Sequence, residues 1–404
     1  MPRLGSARRV GCLLLLGVAA MSVFGTADAQ PAAEIRIGFI ARKPPPPPAY
    51  GFDVVPEDEG VAGARLAMKD NATTGAFTGQ RYVLNEVLLD EGESPVEAAR
   101  KLVDGGTGIL TVNLPADDLL AVADALKDRD AVIFNIAAPD DRLRGADCRA
   151  NLFHVAPSRA MLTDALAQFL ATRRWRKLFL IVGPQPADRL YADSMKRAAR
   201  KFGLTVVAEK PWDLGPLARA RADSPTQAEA LTLTRGVDYD VAVVADEAGD
   251  FGDYIPYRTW DPRPVAGTQG LAATSWHPAH EVWGAAQLQS RFSRAANRAM
   301  RPIDYHAWTA ARAVGEAATR SKETGPKAIG RFMLGPGFDL AAFKGVPLSF
   351  RTWNLQLRQP VLLAQPAALV SVAPEPGFLH QRTPLDTLGF DQPESTCRQG
   401  APNR

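Results

Sequence analysis

The stretch ILTVNLPADDLLAVADALKDRDAVIFNIA, residues 109–137, decides the fold. Ile109 to Leu114 is an apolar run of strand length, Asp117 to Lys127 reads as a helix, and Ala131 to Ala137 is apolar again. A strand, a helix and a second strand in so short a span describe a right-handed crossover between parallel strands.

The unit repeats in both directions. Upstream, Ile35 to Ala41 and Tyr82 to Leu89 read as strands on either side of a helix from about Val61 to Asn71. A further helix starts at Ser94-Pro95-Val96-Glu97, where Ser94 caps and Pro95 fits the first turn, and stops at Gly105-Gly106. Downstream, a second series begins at Ser158. Strands Leu178–Val182, Thr205–Ala208 and Val241–Ala245 alternate with helices Asp188–Phe202 and Thr226–Leu233. Two series predict an α/β protein with two doubly wound parallel-sheet lobes. Glu281–Met300 and Tyr305–Arg320 then read as helices, Leu348–Leu357 and Val361–Val372 as strands, and the tail from Pro374 has no clear period.

The N-terminus stands apart. Arg3, Arg8 and Arg9 precede an apolar run from Gly11 to Phe24, and Ala27-Asp28-Ala29 offers a small-x-small cleavage pattern. A leader spanning 1–29 and export from the cytoplasm are expected. The chain of 404 residues carries 47 Lys or Arg against 44 Asp or Glu; without the leader the balance is 44 to 43. A nearly neutral exported chain argues against nucleic acid as a partner. Of three cysteines Cys12 leaves with the leader, and Cys148 and Cys397 are expected to pair with each other. The run Pro44 to Pro48 falls in the first strand-to-helix loop and reads either as a stiff connection or as a rigid lip of a ligand crevice.

No dinucleotide fingerprint, Walker loop, nucleophile elbow, HExxH or CxxC is present. His277-Pro278-Ala279-His280-Glu281 is the one cluster with metal-like spacing, and it reads better as the start of a helix than as a ligand set. No catalytic residue, metal or required cofactor is expected, and the protein is not read as an enzyme.

The leader, two doubly wound lobes, two late helices and a few late strands together resemble the type I periplasmic solute-binding proteins, in the branch with Leu/Ile/Val-binding proteins. The resemblance implies a hinge joining lobe 1 (30–156 plus 277–345) to lobe 2 (157–276 plus 346–404), a ligand cleft between them, a periplasmic location and an ABC permease as partner. A narrower resemblance rests on Gly60 to Leu66 with Asp70 to Gly75, on Asp147 to Asn151 through His154, on Tyr257 to Trp260 through Pro264, and on Trp353 through Pro360. These stretches look like the binding proteins that accompany PQQ-dependent alcohol dehydrogenase systems. That likeness implies pyrroloquinoline quinone, or a related compound, as the bound ligand and a functional link to a periplasmic quinoprotein dehydrogenase.

The loops after the third and fourth strands bear on the ligand. In the Leu/Ile/Val branch they carry hydroxyls for an amino acid's carboxylate. Here they read Asn113 to Asp117 and Asn135 to Asp140, with no Ser or Thr. That departure counts against an ordinary amino acid; Asn113, Asn135 and Asp140 are the lobe 1 candidates, with Arg142 facing the same crevice. A planar tricarboxylate calls for aromatic faces and cationic forks. Arg189, Tyr191, Tyr254, Arg258, Trp260 and Trp276 are the candidates in lobe 2. A branched-chain or other amino acid is the alternative ligand, and a redox accessory role the third reading.

Overall fold

The computed structural model describes residues 33–44, 54–213 and 226–398. The expected leader and Pro45 to Pro48 of the proline run lie outside the described residues. Lobe 1 opens with β1 (Ala33–Arg42), α1 (Val61–Thr78), β2 (Gln80–Leu89), α2 (Pro95–Asp104), β3 (Ile109–Asn113), α3 (Ala116–Ala125), β4 (Val132–Asn135) and β5 (Leu152–His154). The strands form a parallel sheet in the order β2-β1-β3-β4-β5. Lobe 2 continues with α4 (Arg159–Thr172), β6 (Lys177–Val182), α5 (Pro186–Lys201), β7 (Thr205–Pro211), α6 (Thr226–Thr234), β8 (Val241–Ala245), β9 (Val265–Gly267) and β10 (Leu271–Thr274). The chain then returns to lobe 1 as α7 (Ala285–Ala296), α8 (Pro302–Ser321), α9 (Pro326–Met333) and the hairpin β11 (Ser349–Phe350) and β12 (Leu357–Arg358). It crosses again to supply lobe 2 with β13 (Val361–Gln365) and β14 (Ala368–Ala373), completing the order β14-β13-β10-β9-β8-β6-β7.

Both sheets are covered on both faces near their centres, which is why their central strands read as continuous apolar runs: all five residues of β8 are buried, whereas the edge strand β7 alternates. In lobe 1 one face packs on α2 and α3 through Leu110, Val112 and Ile133, and the other on α1 and α7 to α9 through Ile37, Phe39 and Phe134. In lobe 2 Leu180 and Val243 face α4 and α5, whereas Phe179 and Val244 face Trp212 and Ala230.

Three differences from the sequence reading have physical causes. The strand expected over 361–372 is two antiparallel strands, β13 and β14, because Pro366 can neither donate to a ladder nor continue one. The run 348–357 is a short hairpin that belongs to lobe 1. Phe350 packs its ring on Phe134 and Phe153, so the return to lobe 2 falls near Val361 and not at residue 346. Finally, the tail does not stay on lobe 2. Leu385 and Leu388 are buried, Leu388 in the lobe 2 core, and Gly389 donates its amide to Asp164 of α4 at 2.8 Å. Beyond that anchor Cys397 is bonded to Cys148 of lobe 1, as expected from the cysteine count.

The helices α1 and α8 press together at Gly63, where a Cβ would stand 1.9 Å from the Asp304 carbonyl oxygen. Gly63→Ala is expected to cost about 1–3 kcal/mol by forcing the pair apart. The check is a lowered urea midpoint with an unchanged m-value.

The three crossings between the lobes lie side by side. His154 donates its amide to the Leu355 carbonyl at 2.9 Å, and the Gln356 side-chain amide donates to the carbonyls of His154 and Ala156 at 3.1 and 3.2 Å. Gln359 donates to the Val155 carbonyl at 2.6 Å. Lys344 ties the remaining crossing in, donating to the carbonyls of Ser275 and, at 3.1 Å, Pro360. Its burial among carbonyls pushes the ammonium down to about 7.

Candidate functional site

A cavity of about 580 Å³ opens at the carboxyl ends of β1, β3 and β4. This is where open parallel sheets place ligands, because the loops diverge there and helix N-termini point inward. Its walls come from three successive loops. The first gives Arg42, Lys43, Glu57 and Glu59, the second Asn113 to Asp117, and the third Ala137 to Asp140 with Arg142. The floor is apolar, with Ala41, Leu88, Leu114 and Ala138 among its residues, and no described lining residue is aromatic.

The cations of the wall already hold carboxylates. Arg42 donates to Asp118, at 2.7 Å in the shorter contact, and Lys43 pairs with Asp90 at 2.6 Å. Arg142 pairs with Asp147 at 2.8 Å and with Asp117, whose side chain is 91% exposed. So exposed a partner contributes little to stability and exchanges readily for another anion. Close by, α3 begins at Pro115, whose side chain cannot cap it, so its first-turn amides keep their donors. Burial raises the Glu59 carboxyl pKa, with Arg301 opposing the shift.

Of the residues proposed from the sequence, Asn113, Asp140 and Arg142 line this cavity. Asn135 is close by but occupied. It is fully buried, its oxygen accepts the amides of Ala137 and Ala138 at 3.1 and 2.9 Å, and its nitrogen donates to the Ala138 carbonyl at 2.8 Å. Its role is to shape the loop. The aromatic and cationic candidates of lobe 2 do not converge on this cavity. Tyr191 lies buried on α5 against the lobe 2 core, and Tyr254 packs beside Phe251 and Ile255. Arg189 and Arg258 are exposed. Trp260 is half exposed beneath the Arg235 guanidinium, 4.5 Å from its ring centre. Trp276 is 1% exposed and stacks on Tyr305 at 4.4 Å, a packing residue of the crossing. Tyr191 and Trp276 are taken up by the nearest core, whereas Trp260 stays at the surface under Arg235. His277 and His280 serve a turn: His277 Nδ1 accepts the Ala279 amide at 3.1 Å, and His280 Nε2 donates to the Phe343 carbonyl at 2.8 Å.

Residues the sequence did not single out link the Asp140 loop to lobe 2, although every described lining residue of the cavity belongs to lobe 1. Arg159, at the start of α4, holds Glu247 in a fork at 2.7 and 2.6 Å and reaches Asp140 of lobe 1 at 3.3 Å. Two buried aspartates shape the loops facing it. Asp188 accepts the Glu247 amide at 2.7 Å, and Asp246 accepts those of Phe251 and Gly252 at 3.0 and 2.7 Å. Arg42 and Lys43 were within reach of sequence reasoning, since they end the first strand at the crevice edge. Arg159 and Glu247 are 88 residues apart, and no local pattern joins them.

No curated protein matches the chain. Solved structures do. A branched chain amino acid ABC transporter periplasmic ligand-binding protein from Burkholderia xenovorans is 14% identical, with a TM-score of 0.71 over 90% of this chain and 99% of that one. The branched-chain amino acid transporter substrate binding protein LivJ from Streptococcus pneumoniae, in complex with isoleucine, is 15% identical; its TM-score is 0.62 over 84% and 98% of the two chains. A leucine-, isoleucine-, valine-, threonine- and alanine-binding protein from Brucella ovis is 12% identical, with a TM-score of 0.64 over 90% and 97%. At such identities these likenesses establish the fold. The family follows from a separate match, in which the periplasmic binding protein model aligns with residues 56–368, most of the chain. Two lobes, three crossings and a cavity at the strand ends are the anatomy that this alignment spans, and the chain belongs to the periplasmic binding protein family.

Proposed function

We propose that the protein is the periplasmic receptor of an ABC importer, binding a small carboxylate-bearing solute between its lobes without turning it over. The observation that carries this is the cavity itself. Arg142, with an exchangeable partner, shares the third loop with Asp140, the uncapped start of α3 stands on the second, Glu57 lies on the first, and the floor is apolar. A zwitterion fits that arrangement: its carboxylate replaces Asp117 on Arg142, its ammonium meets the acidic side, and its side chain covers the floor. Amino acids are the ligand class with this layout, and the isoleucine-bound relative agrees with it. Closure follows from the ligand contacting both lobes at once.

Pyrroloquinoline quinone is a second reading, supported by the four stretches that resemble the binding proteins of PQQ-dependent alcohol dehydrogenase systems. It carries the functional link to a quinoprotein dehydrogenase with it. Against it stand the acidic wall and the lack of an aromatic face in the cavity.

Calorimetric titration with leucine and, separately, with pyrroloquinoline quinone tests both. A saturable 1:1 heat with leucine alone supports the first reading, and with the quinone alone the second. Heat with neither, nor with a panel of other amino acids, removes the carboxylate-bearing class. Arg142→Ala is expected to weaken the productive ligand about tenfold or more while leaving thermal stability unchanged, since its own ion pairs are exposed.

A further inference from the structure

Arg144 follows the third cavity loop, is 3% exposed, and among the described residues has no carboxylate in hydrogen-bonding contact. Its guanidinium is spent on neutral oxygens. One terminal nitrogen donates to the carbonyls of Ala138 and Asp140, at 2.8 and 3.0 Å, and both residues line the cavity. The other terminal nitrogen donates to the Ala156 carbonyl at 2.7 Å, and Nε to the Gln356 side-chain oxygen at 2.9 Å. Ala156 belongs to the first crossing between the lobes, and Gln356 leads into the last.

The loop it holds is also where lobe 2 begins. Arg159 of α4 donates its amide to the Pro139 carbonyl at 2.8 Å, and Ala160 donates to the Asp141 carboxylate at 3.0 Å. Residues 138–141 therefore have the cavity on one side, the start of α4 on another and Arg144 beneath. Burying a cation this way is costly, and lysine in its place could not reach four acceptors in one plane.

We infer that Arg144 is a positioning residue that locks the cavity loop to two of the lobe crossings, so that a solute pressing on Ala138 to Asp140 moves the hinge. The inference rests on the receptor reading above. It assigns to the loop a second task besides ligand contact, and to Arg144 the part of a bracket that never touches ligand.

The test uses spin labels at two exposed positions, Lys127→Cys in lobe 1 and Thr205→Cys in lobe 2, in the full chain with its disulfide intact. Distance distributions are recorded without solute, with saturating leucine, and with saturating pyrroloquinoline quinone, for the otherwise unaltered protein and for Arg144→Lys. The variant is expected to show a broader distribution without solute. It is also expected to bind roughly tenfold or more weakly, and to retain an open component at saturation. An Arg144→Lys protein with the parental width and a complete shift overturns the inference. If the parent responds to no solute, the receptor reading fails, while the width without solute still decides the role of Arg144. Should Arg144→Lys fail to fold, Arg144→Met, which keeps the bulk and removes every donor, is expected to broaden the distribution; no broadening then counts against the inference.

Discussion

Asp386→Ala is expected to lower the unfolding free energy by roughly 3–5 kcal/mol, the cost of leaving a buried cation without its counter-charge. Asp386 accepts from Arg351 Nε and Arg358 Nε, each at 2.8 Å, and its side chain is 5% exposed. Arg351 is 1% exposed. It also donates to the carbonyls of Leu388, at 2.7 Å, and of Leu385 and Phe390, both at 3.3 Å. Those carbonyls bear partial charges, and only the carboxylate neutralises the guanidinium. The burial already disfavours the charged form, holding the Arg351 pKa below its ordinary value despite Asp386. Taking the carboxylate away removes the opposing interaction and leaves that penalty. The double variant Arg351→Met/Asp386→Leu is expected to recover much of the loss, because neither charge then has to be buried. Urea unfolding of both variants decides the matter. A single variant within about 1 kcal/mol of the parent would show that water reaches this pair.

The second large effect is expected from Cys148→Ser, which should cost about 2–5 kcal/mol. The bond closes a loop with a sequence separation of 249, and in the chain-entropy view a long loop gives a large restriction of the unfolded state. Chemical reduction of the parent should reproduce the midpoint of the variant. Agreement between the two assigns the loss to the cross-link, whereas a variant much less stable than the reduced parent would assign it to packing around the buried Cys148. The two losses should not sum in a combined variant, since Asp386 and Cys397 both secure the same tail.

The α/β alternation was legible because the central parallel strands are continuous apolar runs and several helices carry a start or stop signal. Ser158, for example, caps α4 by accepting the Met161 amide at 3.3 Å. The hairpin 349–358 was not legible, since what holds it is Phe350 against rings of β4 and β5 about 200 residues earlier. At the site, position along a strand served better than residue type. Asn113, Asp140 and Arg142 follow strands of lobe 1 and reach the cavity. Tyr191 and Trp276 have the chemistry that suits a ligand, yet an aromatic ring gains as much from a core, and both are buried in one. Arg144 escaped notice for the opposite reason. A charged residue two positions past Arg142 reads as solvent-facing until the fold encloses it.

The tail that returns from lobe 2 to Cys148 also limits travel. It is gripped at Gly389 by Asp164 and by Lys201, which donates to the Thr387 and Gly389 carbonyls at 3.0 Å. Eight residues further on it is welded to the other lobe. A chain segment of that length spans at most roughly 28 Å when fully drawn out. However freely the three crossings flex, Cys148 of lobe 1 and the Gly389 anchor on lobe 2 cannot part beyond the reach of this leash. An oxidised molecule thus searches a bounded arc for its solute, and a reduced one searches a wider arc.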